Sequence, residues 1–154
     1  IGGKTYNGKG TVFVHKRMKD KSIRRAVMKQ QEQIEQEFDF IKEKADSGES
    51  FVIVGRCSET VLQDVEGMIS IFVNGDKECK VKRVMEKYSL SRAEALKKME
   101  RHDFKRKRYH NRHSDHKWGD SRFYDICINS SPLGVSGTVK VLENYIKERE
   151  AAKK

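Results

Sequence analysis

The sequence predicts an α/β fold, a three-layer sandwich in which a mostly parallel sheet is covered by helices on both faces. Continuous apolar runs at 51–55, 68–73 and 124–128 read as strands buried on both faces. Amphipathic helical stretches separate these runs, and strands joined through helices form a parallel sheet. In such sheets ligands bind beyond the carboxyl ends of the strands. This chain puts Gly55-Arg56, Asn74-Gly75-Asp76 and Asn129-Ser130-Ser131-Pro132 there.

Residues 1–22 open with four glycines in ten positions and then alternate at 11–15, which reads as loop or a short strand. The α/β domain is expected over 23–150. From Ser22 onward, Ile23, Val27, Ile34, Phe38, Ile41 and Ala45 share one helical face with charges opposite, so a long amphipathic helix is expected. It stops at Asp46-Ser47-Gly48, a glycine-containing end. After the first strand run comes a helical turn near 58–64, then the second strand run. Asn74-Gly75-Asp76 turns the chain and caps a helix whose Val81, Val84, Met85 and Tyr88 are expected to face inward. Ser91 and Glu94 form a capping box, since the hydroxyl accepts from the N–H three residues on while the carboxylate reaches back. That helix passes through Ala95, Leu96 and Met99 and is expected to break up near 111–115. Beyond the third run, 129–132 is a polar turn. Ser136 is expected to cap a last helix with Val139, Leu142, Tyr145 and Ile146 on one face.

At 154 residues and 36% hydrophobic content, the chain suits one domain with a modest core. No window approaches the roughly eighteen apolar residues of a membrane span, and no signal peptide is evident. The cysteines are three, an odd number at wide spacing, and Cys57 and Cys127 sit in or beside apolar runs as small buried hydrophobes do. They read as reduced, in a cytoplasmic protein. The net charge of +10, from 33 Lys and Arg against 23 Asp and Glu, calls for a nucleic acid, an anionic membrane or a small polyanion such as a nucleotide. The charge concentrates at 97–117.

Arg56 follows a strand run and a glycine, where a rigid strand end aims a planar fork of donors into the crevice, as bidentate phosphate recognition requires. Arg101 and Arg108 lie about two helical turns apart and share a face, with Lys105 between them; Arg106 points elsewhere. Cations so placed can converge on a phosphate.

Gly55-Arg56-Cys57, the helix bearing Arg101, Asp103, Arg106, Arg108 and Tyr109, then Lys117-Trp118-Gly119-Asp120, Tyr124-Asp125-Ile126-Cys127-Ile128-Asn129 and Leu133-Gly134 form an ordered series at characteristic spacings. The series resembles the cytidylate-kinase-like proteins, P-loop nucleoside monophosphate kinases, over about the last two-thirds of the chain. The resemblance implies a P-loop NTPase fold with a basic helical lid at about 101–120, and transfer of the γ-phosphoryl of ATP, with Mg²⁺, to a nucleoside monophosphate. It implies that Arg56 and Arg108 hold the acceptor's phosphate, that Arg101 lies near the ribose, and that Arg106 is a lid arginine, which makes Arg106 and Arg108 the candidate catalytic residues. Asn129, Ser130, Ser131 and Pro132 would wrap the adenine of ATP. Cys57 and Lys105 stand at substrate-binding positions where true cytidylate kinases have acids that read the base and sugar, so the implied acceptor need not be CMP.

Such kinases open with a strand, a glycine-rich phosphate loop and a helix. Gly2-Gly3-Lys4-Thr5 has only the end of that motif and is not read as a cradle. Without an initiating Met, the start is read as lying inside a longer reading frame; the chain alone is expected to bind ATP poorly, with a sheet edge for another segment or a second copy to cover. His110, His113 and His116 fit a metal only in a loop, and no fourth ligand has a suggestive spacing, so no metal is expected and the segment reads as solvated lid. Trp118 is expected to pack the base of the lid. Two other readings compete. The basic helix with Phe104, Tyr109 and Trp118 could track a nucleic-acid backbone, and a non-catalytic scaffold could keep the kinase fold.

Overall fold

The computed structural model describes residues 21–152. The expected 11–15 strand, Gly2 to Thr5 and the Ile23 side chain lie outside what is described. Two compact units divide at Met68 and Ile69.

In the first unit, α1 (Lys21–Asp46) buries Ile41 and half-buries Val27, Ile34, Phe38 and Ala45, the expected face. The helix ends as its sequence dictates. Gly48 adopts φ 72°, and Ser47 and Gly48 donate back to Glu43 O and Ala45 O at 3.1 and 3.2 Å. A four-residue helix, α2 (Ser58–Val61), packs against α1, with Cys57 and Leu62 buried at its two ends.

Residues 51–54 depart from expectation. Among the described residues they pair with no strand, and Val52 and Val54 are each 91% exposed while Phe51 and Ile53 are half-buried. An apolar run becomes a buried strand only when a neighbour supplies its hydrogen bonds.

The second unit holds a two-stranded parallel sheet. β1 (Ile71–Asn74) pairs with β2 (Ile126–Asn129), Ile71 opposite Ile126 and Asn74 opposite Asn129. Both strands start two or three residues later than the apolar runs do, and neither is buried on both faces; Val73 is 51% exposed and Cys127 is exposed. The delay has a cause. Ser70 and Asp125, just ahead of the strands, bind each other through side chains. The Ser70 N–H and hydroxyl donate to Asp125 Oδ2 at 2.7 and 2.8 Å, and the Asp125 N–H donates to Ser70 Oγ at 2.9 Å.

Between the strands run α3 (Lys77–Tyr88) and α4 (Arg92–His113). They pack through Val81, Ala95 and Met99, with Val84, Met85, Leu90 and Leu96 around them. Asp76 occupies the N-cap of α3 but makes no side-chain cap. Tyr88, expected inward, is 46% exposed and lies beneath Lys98 Nζ, 4.2 Å from its ring centroid. Ser89 ends α3 in the left-handed region, and the Leu90 N–H reaches Met85 O at 3.2 Å. The Ser91 and Glu94 capping box forms as read, and α4 ends at His113.

The last helix, α5 (Gly134–Ala151), starts at Gly134, so Ser136 is in its first turn rather than at its cap. Leu142, Tyr145 and Ile146 are half-buried, whereas Val139 is 46% exposed. Arg149 pairs with Asp125, and Tyr145 donates to its carbonyl at 3.4 Å. No helix among the described residues is long and apolar enough to cross a membrane.

Burial works against ionisation of the Asp125 carboxyl, but the Ser70 N–H, Arg149 and the Ser70 hydroxyl outweigh it and hold the pKa below the ordinary carboxylate value. A depressed folded pKa adds stability above the unfolded value of about 3.9, and that stability is lost as pH falls through the folded pKa. Asp125→Ala should lower the unfolding free energy by about 2–3 kcal/mol at neutral pH in urea titrations, because it strands the donors of buried Ser70. Asp125→Asn should flatten the acid side of the stability profile.

Candidate functional site

Three consecutive residues at the end of the 51–54 segment have left-handed backbones: Gly55 at φ 80°, Arg56 at 63° and Cys57 at 54°. The Ser58 N–H closes this turn on Gly55 O at 3.3 Å, and Cys57 O then accepts from Thr60 and Val61 to start α2. Glycine takes that conformation freely, but each L-residue holds it at a cost of about 1–2 kcal/mol. Strain of this kind persists where the surroundings over-determine it, and it clusters at binding sites. The turn presents Arg56 and buries Cys57. Arg56 Nη1 lies 3.0 Å from Glu37 Oε2, with the two side chains 57% and 38% exposed. The Glu37 Oε2 atom is buried while the guanidinium is largely open, so an incoming phosphate would compete with the carboxylate from the solvent side. Burial, with Glu59 adding to it, pushes the Cys57 thiol up to about 12. It is neutral at physiological pH.

The carboxyl ends of β1 and β2 carry a second constellation. Asn129 Nδ2 donates to Asp76 Oδ1 at 2.8 Å, the Ser131 N–H donates to Asn129 Oδ1 at 3.0 Å, and Ser131 Oγ accepts the Asp76 N–H at 2.8 Å. Ser130 donates to Asn74 O through both its N–H and its hydroxyl. Gly75 lets the turn come this close, since a Cβ there would stand 3.2 Å from Ser131 Oγ. The loop nominated for the base is thus locked to the neighbouring strand end, as a binding loop must be.

On α4, Arg101, Lys105 and Arg108 share an exposed face. Arg106 is on the other side, paired with Asp103 and lying over Trp118 at 5.6 Å. Asp103 also takes Lys80 from α3 at 3.3 Å. Burial opposes its charge, yet Arg106 and Lys80 hold its pKa below the usual range. Trp118 packs edge-on against Phe72 of β1 at 5.5 Å, and its backbone N–H donates to Asn111 Oδ1 at 2.8 Å. This is the packing role its position implied. Beyond it, Asp120 caps the Ser121–Phe123 turn and grips Arg122, whose hydrogen bonds draw the Asp120 pKa down to about 2. The histidines pack on rings: His110 lies 5.1 Å from His116, His116 stacks on Phe123 at 4.1 Å, and His113 meets Tyr109 at 4.8 Å.

Arg56 and Cys57 therefore belong to the first unit, and Arg101, Lys105, Arg106, Arg108 and the 129–132 loop to the second. Sequence reading missed Glu37, Asp103 and Lys80 as partners of the candidate cations. Only Asp103, three residues before Arg106, carried a local signal.

Residues 4–132 match the family described as the cytidylate kinase-like family. Among solved structures, an uncharacterized protein from Eubacterium ventriosum is similar, with 46% identity and a TM-score of 0.73. The match covers 75% of this chain and 65% of that one, so the chain spans less than two thirds of that relative. No match was found among curated proteins.

Gly119 has φ 77°, and a Cβ on it would stand 2.9 Å from Phe72 Cζ. Gly119→Ala should destabilise the protein by about 2–3 kcal/mol, from backbone strain plus ring displacement, and the single Trp118 reports the loss as a lower urea midpoint. In a thiol-reagent time course on native protein, exposed Cys79 should react at once and Cys57 only on unfolding.

Proposed function

The chain belongs to the cytidylate kinase-like family, and on that premise we propose that it is the acceptor-binding and lid part of a kinase of P-loop NTPase fold, transferring the γ-phosphoryl of ATP to a nucleoside monophosphate. The observation that carries the reading is the left-handed turn at Gly55-Arg56-Cys57. An arginine with no ligand to meet would relax out of that conformation, whereas one required to present its guanidinium to a phosphate is kept there.

In this reading Arg56 and Arg108 hold the acceptor's phosphate, Arg101 and Lys105 line the sugar side, and the 129–132 loop receives the adenine of ATP. Support for Arg108 over Arg106 as the arginine that contacts phosphate is geometric: Arg108 shares the exposed face of Arg101, while Asp103 and Trp118 already hold Arg106. Arg106 is then a lid arginine that acts once Asp103 releases it. Phosphoryl transfer asks a protein mainly to position and neutralise charge, which these cations can do. The donor set fits phosphate and not a metal ion, so Mg²⁺ would arrive on the phosphates of ATP. The neutral, buried Cys57 supports an acceptor other than CMP, because a protonated thiol is a poor acceptor for the exocyclic amine of cytosine.

Arg56→Gly provides the sharpest test, because it separates strain from function. Unfolding should show the variant as stable as the parent or about 1 kcal/mol more stable. Calorimetry across a panel of nucleoside monophosphates should show affinity for the preferred one reduced about 10- to 100-fold, the equivalent of about 1.4–2.7 kcal/mol for a charge-assisted contact. Unchanged mononucleotide affinity would sink the phosphate role of Arg56 and favour a scaffold that keeps the fold without the chemistry.

A further inference from the structure

We infer that α4 carries a track for single-stranded nucleic acid along Lys97, Arg101, Lys105, Arg108 and Arg112. Spacings of four, four, three and four residues place these five side chains within an arc of about 80° on one helix face, over a rise of about 22 Å. All five are exposed, and none makes an ion pair or ring contact with another described residue. Three of the cations elsewhere on α4 are engaged: Arg92 with Glu78 at 2.8 Å, Arg106 with Asp103, and Lys98 over Tyr88 at 4.2 Å.

The acid on this face, Glu94, is committed to the capping box, accepting from the Ser91 N–H at 2.9 Å and hydroxyl at 2.6 Å. Like charges three or four residues apart on a helix repel by about 0.2–0.5 kcal/mol per pair. The row contains four such neighbours, so it costs the chain roughly 1–2 kcal/mol that nothing described offsets. An external polyanion removes that cost.

The shape of the row selects the polyanion. A charge every one turn or so, along a line rather than over a plane, suits successive phosphates of one strand better than a lipid surface. Phe104, 64% exposed, lies three residues after Arg101 and four before Arg108, at the edge of the row. An exposed ring beside a phosphate track is a stacking platform for an unpaired base, worth about 1–3 kcal/mol. A groove lined by Lys97, Lys98, Arg101, His102 and Lys105, with Leu90 and the capping Glu94 at its start, follows the first half of the row.

Lys97 and Arg112 have no part in the mononucleotide reading, so the two readings can fail separately. The test is fluorescence anisotropy of a labelled twelve-nucleotide oligouridylate with the protein at two salt concentrations. Five phosphate contacts give a log–log salt slope of about −3.5, so affinity should fall about 100-fold for a fourfold rise in salt. The double variant Lys97→Gln, Arg112→Gln should bring the slope to about −2 and weaken low-salt binding at least tenfold, with mononucleotide affinity unchanged. Glutamine matches lysine and arginine in helix propensity and brings no charge to Arg101 or Arg108, so circular dichroism should show α4 intact. Phe104→Ala should weaken binding about tenfold and leave the slope alone. A slope near zero, a slope the double variant does not move, or binding to phosphatidylserine vesicles without oligonucleotide saturation would overturn the inference.

Discussion

Two strands of four residues, parallel and with few ladder bonds, do not hold a register by themselves, and the reciprocal bonding of Ser70 and Asp125 is what sets it here. A slip of one residue would turn every side chain of the pair to the opposite face. With Ser70 and Asp125 locked, Asn74 and Asn129 must come level four residues later, and only then can Asn129 reach Asp76 and Ser131 close on the turn. Phe72 also takes its place from this register. Trp118 and Tyr124 gather around it, and through Trp118 the end of α4 is tied to the strand. The candidate base loop and the foot of the candidate lid are thus consequences of one clamp at the far end of the sheet.

Charge in this protein is sorted rather than spread. Arg56, Arg92, Arg106, Arg122 and Arg149 each have a carboxylate, whereas the row from Lys97 to Arg112 has none among the described residues. The pairs differ in what they do. Arg149 secures Asp125 beneath α5, and Arg106 joins Asp103 and Lys80 between α3 and α4, so these are structural. Arg56 is bound to Glu37 in a pair that is open to solvent on the arginine side. Positioned cations whose neutralisation comes from outside the chain are what a phosphate ligand needs.

Much of the helical part was legible because its signals are local. The Ser91 and Glu94 box, the glycine after α1 and the Val81 face each lie within a few residues of the structure they cause. Strands were legible only as apolar runs, since a strand is defined by its partner. Residues 51–54 and 71–74 look alike in sequence, yet only the second has a neighbour among the described residues. The later strand starts follow from Ser70 and Asp125, a pairing 55 residues apart that no local pattern reveals. Tyr88 and Val139 failed as core positions for a related reason: periodicity marks a face, but whether another element covers that face is decided elsewhere. At the site, the cation spacing on α4 was readable from helix geometry, while Glu37 and Lys80 were not.

The turn at Gly55-Arg56-Cys57 shows why local consistency and function part company. Sequence propensity alone would put glycine, asparagine or aspartate at left-handed positions, and the chain instead spends two L-residues there after a glycine. If the turn served only to start α2, glycine at 56 would serve it better and the arginine would be selected against. Its side chain is more than half exposed and meets Glu37 at 3.0 Å, so packing alone does not account for an arginine at this position. Cys57 is the inward half of the same device. Buried under α2, it fixes the turn from inside, and being neutral it leaves the arginine beside it without a permanent anionic partner on the turn itself. A carboxylate at 57 would compete for that guanidinium; a thiol does not, and the phosphate reading of Arg56 gains from the substitution that weakens the reading of cytosine.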